Sequence, residues 1–181
     1  MRVCTLASGS SGNSLYIECG ATRILVDAGI SRRQMTQRLA SIGVSLSDID
    51  AVVVTHEHSD HTSSLPRLGL PAYVVSATAH LWREKIPELV EFESGRPFTI
   101  KDLYITPFSV PHDALDPVGF TIEAGNGSKI GIATDIGTAT ALVRERLRGC
   151  TALVLEFNHD PEILLYSHYP WDLKQRIKGR L

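Results

Sequence analysis

Apolar and polar side chains alternate through the first part of the chain, as they do in β-strands with one buried face. The alternation covers Arg2–Ala7, Ser14–Cys19 and Thr22–Val26. The segment SGSSGN separates the first two stretches, and a short turn containing Gly20 separates the second from the third. We therefore predict three strands joined by turns.

The spacing of apolar residues changes after these strands. Met35, Leu39 and Ile42 recur at the interval of a helical turn, Ser31 is a suitable N-cap, and Gly43 ends the run. This pattern predicts a helix. Three further helices are predicted, over Ala77–Lys85, Ala139–Leu147 and Leu173–Lys178.

Short apolar runs rich in β-branched side chains predict buried strands at Val52–Val54 and Tyr73–Val75. A second set of strands begins near Phe98, and the pair Asn126-Gly127 is typical of a hairpin turn. The other strands of this set are Leu103–Phe108, Val118–Glu123, Lys129–Thr134 and Ala152–Phe157. The order of the elements indicates an α/β fold of layered sheets with helices outside.

The composition is typical of one globular domain, which we expect over residues 1–181. The chain is 43% hydrophobic and 21% charged, and its net charge of −2 does not indicate a polyanion-binding protein. Three widely spaced cysteines indicate neither a disulfide framework nor a cysteine-rich zinc site. Because no apolar stretch approaches the length of a membrane helix, we expect no membrane association and a cytoplasmic location.

A dense cluster of side chains that can bind a metal ion follows the apolar run Val52–Val54. His56, His58, Asp60 and His61 lie within six consecutive positions. Imidazole nitrogens together with carboxylate oxygens suit zinc, manganese or iron better than calcium or magnesium. Since sites are usually built where a buried strand runs into a loop, we predict a metal site here.

Two later residues are candidate partners for this cluster. His112 follows a strand in FSVPHD, and Asp135 ends a strand in IGIATDIG. Taken alone, His112 is typical of a surface histidine and Asp135 of a helix N-cap. Both become candidate ligands because a metal cluster needs further donors.

The segment HEHSDH matches the HxHxDH signature of the metallo-β-lactamase superfamily, and the chain resembles that superfamily over nearly its whole length. Asp27 in ILVDAG, His112 and Asp135 fall in the same order and at similar spacing. The opening LASGSSGNSLYIE, with EFNHD and YPWDLKQRI further on, is similar to the YycJ/WalJ/VicX branch. The resemblance implies a metallo-β-lactamase-like αβ/βα sandwich that holds two divalent transition-metal ions.

The resemblance also implies a role for individual residues. Asp60 would be the catalytic carboxylate that orients a metal-bound hydroxide, and Asp27 would brace a metal-binding loop without being a ligand. Glu57 and Ser59 would not be ligands. Zinc is the expected metal, with manganese and iron as alternatives. The implied ligands are His56, His58 and His112 for the first ion, Asp60 and His61 for the second, and Asp135 between the two.

One residue and one segment each allow two interpretations. His159 could contact the metal ligands or the substrate, or it could form an ordinary hydrogen bond. The SGSSGN turn could bind a phosphate through backbone N–H groups and polar side chains, or it could simply join two strands. The polar side chains of this turn are Ser8, Ser10, Ser11 and Asn13.

One departure from the branch concerns the C-terminus. Members of the branch carry a last histidine, in a GHLSN-like stretch, after the LKxRI segment, and this chain stops at Leu181. We therefore expect a sandwich that is incomplete at its C-terminus and a second metal site that is weakened. An uncovered sheet edge would also favour a homo-oligomer.

The function that the resemblance implies is metal-dependent hydrolysis of a phosphodiester, in the manner of a DNA exonuclease. The slightly acidic composition does not support the step to DNA. A second hypothesis is another hydrolase of the superfamily, acting on a lactone, a thioester or a small cyclic phosphodiester. A third is a metal-binding remnant with little activity that acts as an interaction module.

Overall fold

Two β-sheets lie at the centre of the protein, in a computed structural model that describes residues 1–155 and 160–178. The first sheet begins with two antiparallel pairings and continues with three parallel ones. Its six strands, in spatial order, are β1 (Arg2–Ala7), β2 (Ser14–Cys19), β3 (Thr22–Val26), β4 (Ala51–Val53), β5 (Ala72–Val75) and β6 (Leu89–Phe92).

The second sheet has five strands and is antiparallel except for one pairing at its edge. The predicted hairpin at Asn126-Gly127 is confirmed, and Gly127 has a positive φ of 82° that suits glycine in such a turn. In chain order the strands are β7 (Phe98–Ile100), β8 (Leu103–Ser109), β9 (Val118–Ala124), β10 (Lys129–Ala133) and β11 (Ala152–Leu155).

The two sheets pack face to face because their strands alternate in hydrophobicity. Ile17 of β2 belongs to one buried cluster with Ile105 and Phe120 of the second sheet. Its neighbour Tyr16 faces the opposite side and belongs to a second cluster with Met35. The first sheet is therefore buried on both faces, and the expected α/β sandwich is confirmed.

Helices cover the outer faces of the sandwich. The predicted cap at Ser31 is confirmed, and Ser31 and Gln34 form a reciprocal capping box at the start of the first helix. Two short 3-10 segments occur at Leu46–Asp48 and Ser76–Leu81. The helices are α1 (Arg32–Ser41), α2 (Ser59–Thr62), α3 (Leu65–Leu68), α4 (Ala141–Leu147), α5 (Pro161–Tyr166) and α6 (Trp171–Lys178).

The α-helix predicted over Ala77–Lys85 is wrong. Ser76–Leu81 forms a 3-10 segment instead, and no side chain caps its start. Trp82 ends the segment and packs into the buried cluster behind the first sheet. Uncapped and followed by Pro87, this stretch is too short for a stable α-helix, and burial of Trp82 decides its geometry.

Strand β11 forms one edge of the second sheet, and its Leu153 side chain is 48% exposed. Within residues 1–155 and 160–178, no helix has the length and apolar character needed to cross a membrane.

Candidate metal centre

The site forms at the edge of the first sheet where the parallel strands β3 and β4 end side by side. Asp27 directly follows β3, and Thr55 and His56 come shortly after β4. The backbone N–H of Asp27 donates to Val53 O at 2.9 Å, which continues the pairing by one residue. Residues that are far apart in sequence therefore meet because two parallel strands share one carboxyl edge.

Three histidine side chains converge at this edge and form the first group (His56, His58 and His112). His56 Nε2 lies 3.2 Å from His58 Nδ1, and His112 Nε2 also lies 3.2 Å from His58 Nδ1. His56 is buried and the other two are half-buried. His112 comes from the loop after β8, so the second sheet supplies one member of the group.

The charge state of the first group suits a cation. Burial, followed by the charge of His61, lowers the pKa of His56 to about 2. Burial also lowers the pKa of His112. Both imidazoles are therefore neutral at pH 7, which is the form that binds a metal ion. Ring nitrogens that face one another at 3.2 Å fit a divalent transition-metal ion between them.

A second group of side chains, consisting of Asp60, His61 and Asp135, adjoins the first. His61 Nε2 lies 3.0 Å from Asp135 Oδ2 and 3.5 Å from Asp60 Oδ2. Ligand atoms of Asp135, His61 and His56 all lie within 4.8 Å of one another, so His56 contacts both groups. Asp135 follows β10 and has a positive φ of 53°, an unfavourable conformation for a non-glycine residue that turns its carboxylate toward His61.

The carboxylates around the second group stabilise a positive charge on His61. Burial alone would lower the pKa of His61, but the charges of Asp27 and Asp135 outweigh it and raise that pKa to about 10. Burial alone would raise the pKa of Asp135, but the hydrogen bond from His61 lowers it. The carboxylates therefore favour a positive charge at this position, which also fits a metal cation.

Asp27 is buried behind His61 and holds it from the side away from the first group. Asp27 Oδ2 lies 2.8 Å from His61 Nδ1, and Asp27 Oδ1 accepts the Thr55 backbone N–H at 2.8 Å. The Thr55 hydroxyl also lies 3.0 Å from His56 Nδ1. Thr55 thus links Asp27 to His56, a role that sequence reasoning missed. Its position between the end of β4 and the first histidine of the motif is the signal that could have found it.

The segment SGSSGN reaches the site through one side chain. Asn13 Nδ2 lies 3.0 Å from His61 Nε2 and 3.3 Å from Asp60 Oδ2. The other predicted members of this segment are exposed in the loop, namely Ser8, Ser10 and Ser11. His159 lies outside the described residues.

Glu57, which is not expected to be a ligand, forms a hydrogen bond between two loops. Its Oε1 accepts the backbone N–H of Leu115 at 2.9 Å, 58 residues further along the chain. This hydrogen bond ties the loop that carries His112 to the loop that carries His56. Ser59, the other residue excluded as a ligand, is exposed at the start of α2.

Sequence comparisons find one matching family and several named relatives. A family described as a beta-lactamase superfamily domain matches residues 22–175. A protein named exodeoxyribonuclease YycJ from Bacillus anthracis is 34% identical over 95% of this chain and 68% of its own length. A protein named exodeoxyribonuclease WalJ from Streptococcus pneumoniae serotype 2 is 36% identical over 97% of this chain and 69% of its own length.

Solved structures share the fold at low sequence identity. The crystal structure of Zn²⁺-bound PqqB from Methylobacterium extorquens has a TM-score of 0.67 and 20% identity. The match covers 84% of this chain and 63% of PqqB. At this identity the likeness concerns the fold alone.

Proposed function

Because this chain belongs to the metallo-β-lactamase superfamily, we propose that it is a metal-dependent hydrolase of phosphodiester bonds with exonuclease-like action on DNA. The observation that carries the proposal is the adjacency of the two groups, since ligand atoms of His56 in the first group and of His61 and Asp135 in the second lie within 4.8 Å of one another. Adjacent sites of this kind are typical of enzymes that cleave phosphodiesters with two ions.

The assignment of ligands follows the two groups. His56, His58 and His112 would hold the first ion, and Asp60 and His61 would hold the second. Asp135 belongs to the second group and has a ligand atom within 4.8 Å of one of His56, so it would be the ligand common to both ions. Nitrogen and oxygen donors of this kind fit zinc, manganese or iron. Two bound ions supply a water of lowered pKa and neutralise charge on the phosphate oxygens of the substrate.

Asp60 and His61 differ in exposure, and this difference separates their proposed roles. The Asp60 side chain is 30% exposed, whereas the His61 side chain is fully buried. Asp60 therefore lies beside His61 and also reaches solvent. From this position it can orient the attacking water and accept its proton. Asp27 holds Nδ1 of His61, so that Nε2 of the same ring faces Asp60 and Asp135.

The proposed substrate rests on the relatives. Two proteins named as exodeoxyribonucleases match at least 95% of this chain, and the chain covers at least 68% of each. A nucleic-acid backbone is a chain of phosphodiesters, which is the bond that the proposed site would cleave. DNA is therefore the substrate we propose, in preference to lactones and thioesters.

The test compares three substrates on one protein. Purified chain is supplied with Zn²⁺, Mn²⁺ or Fe²⁺ and assayed on bis-p-nitrophenyl phosphate, a lactone and end-labelled DNA. We expect phosphodiester cleavage that a chelator abolishes, with stepwise shortening of the DNA from one end. We expect Asp60→Asn to lower the rate at least about 100-fold, because the group that orients the water is lost.

The matched control is Asp172→Asn, which removes an exposed carboxylate from α6. It should retain the wild-type rate. Faster hydrolysis of the lactone than of the phosphodiester, or an Asp60→Asn variant as active as the wild type, would overturn the proposal.

A further inference from the structure

Asn13 is the residue through which the loop between β1 and β2 contacts both Asp60 and His61. Its Nδ2 lies 3.3 Å from Asp60 Oδ2 and 3.0 Å from His61 Nε2. Its Oδ1 accepts the backbone N–H of Gly9 at 2.9 Å. That hydrogen bond fixes the orientation of the amide, because a flipped amide would direct its NH₂ group at the Gly9 N–H. The NH₂ group therefore faces the second group.

The backbone of Asn13 is held as firmly as its side chain. Its N–H donates to Asp60 O at 2.7 Å, and its carbonyl accepts the N–H of Gly29 at 2.9 Å. A Cβ on Gly29 would lie 1.5 Å from Asp60 O, and a Cβ on Gly12 would lie 2.5 Å from Gly29 O. Three loops therefore meet here at backbone distance, and Asn13 is fixed relative to Asp60.

We propose that Asn13 is a positioning residue for the second ion, which it serves by donating an amide N–H to Asp60 Oδ2. This inference rests on the proposed function, since it takes Asp60 and His61 as ligands of that ion. A hydrogen bond to a carboxylate restricts its rotation and is stronger than one between neutral groups. Asp60 needs such a restraint because its side chain is partly exposed.

The contacts also give the SGSSGN segment a role at the metal centre through Asn13. The side-chain amide of Asn13 is engaged by Gly9 and Asp60. The segment therefore serves the metal centre through Asn13, and its conformation is what brings the amide to the ligands.

The test measures metal affinity, with no need for turnover. The metal-free wild-type chain and the metal-free Asn13→Ala variant are each titrated by isothermal titration calorimetry. Mn²⁺ and Zn²⁺ are used in separate titrations. Removing a residue that orients a ligand typically lowers metal affinity about 10- to 100-fold. We expect this loss for the second equivalent bound by Asn13→Ala, while the first equivalent, held by the three histidines, keeps its wild-type affinity.

The matched control is Ser10→Ala, an exposed position in the same loop, which should bind both equivalents like the wild type. Wild-type affinity for the second equivalent in Asn13→Ala would overturn the inference. Equal weakening of both equivalents would also overturn it, because a general disturbance of the fold would act on both. A wild-type chain that binds one equivalent alone would overturn it together with the two-ion assignment.

The same titration separates this inference from the proposed function. A wild-type chain that binds two equivalents, with selective loss of the second in Asn13→Ala, supports the inference even where no phosphodiester is cleaved. Cleavage that proceeds normally, alongside an unchanged second affinity in Asn13→Ala, would leave the function standing and remove the inference.

Discussion

Nδ1 of His61 lies 2.8 Å from Oδ2 of Asp27, and both side chains are buried. Asp27 directly follows β3 with a positive φ of 64°, so an unfavourable backbone conformation directs its carboxylate at the histidine. A second carboxylate, that of Asp135, lies 3.0 Å from the other nitrogen of the same ring. His61 is therefore held on both sides, which fixes the direction in which Nε2 points.

The first prediction concerns removal of Asp27. Asp27→Ala leaves the Thr55 N–H and His61 Nδ1 without their buried acceptor, and breaking a buried pair in this way costs about 3–5 kcal/mol. Urea unfolding of the metal-free protein should show a loss of this order, and metal titration should show a weaker second equivalent. Asp172→Ala, at an exposed position, should change neither. An unchanged urea midpoint in Asp27→Ala would contradict the proposed role.

The second prediction concerns metal content. The double variant His56→Ala/His58→Ala removes two of the three imidazoles of the first group, and His56 also contacts the second group. Elemental analysis after purification without chelators should find transition metal in the wild type and little in the double variant. His80→Ala removes an exposed histidine whose Nδ1 lies near Ala77 O, and it should keep the wild-type content. Equal metal in all three proteins would show that the assignment is wrong.

The third prediction is that the two ions bind with unequal affinity. The first group offers three imidazole donors, and Asp135, which has a ligand atom within 4.8 Å of one of His56, would complete a tetrahedral set for zinc. The second group offers Asp60, His61 and the shared Asp135. We expect the first equivalent to bind at least about 10-fold more tightly than the second in a competition titration with a chromogenic chelator. Two equivalents of equal affinity would contradict this expectation.

The fourth prediction concerns the close approach at Gly29. A Cβ at this position would lie 1.5 Å from Asp60 O, and neither backbone can move without displacing the other. Gly29→Ala should lower the free energy of unfolding by about 3 kcal/mol or more, the upper part of the range for overpacking. Gly125→Ala is the matched control, because a Cβ there meets nothing within 4 Å. Thermal unfolding of the two variants gives the comparison, and equal stability would exclude the close contact.

The clustering of His56, His58, Asp60 and His61 could be predicted from sequence because it depends on local spacing alone. His112 and Asp135 come from the second sheet, and they become candidates only because the local cluster needs further donors and the family resemblance matches their order and spacing. Asn13 and His61 are 48 residues apart in the sequence, so no local sequence pattern could predict their contact. It depends on the shared edge of β3 and β4 and on the close approach of backbones.

Short elements were the least predictable part of the fold. The four-residue helix α2 lies inside the metal-binding motif and is too short to show a helical period. Strand β6 was not predicted, because its LVEF sequence is partly exposed at a sheet edge and lacks a clear alternation. The 3-10 segment Ser76–Leu81 was predicted as α-helix, since both patterns bury side chains at an interval of three to four residues.

The most direct test of the account is the position of the metal ions. Crystals of the chain grown with Zn²⁺ would be measured on both sides of the zinc absorption edge. We expect an anomalous peak between the ring nitrogens of His56, His58 and His112. We expect a weaker second peak between His61, Asp60 and Asp135. Zinc bound elsewhere on the chain, with no anomalous peak between the three histidines, would contradict the account.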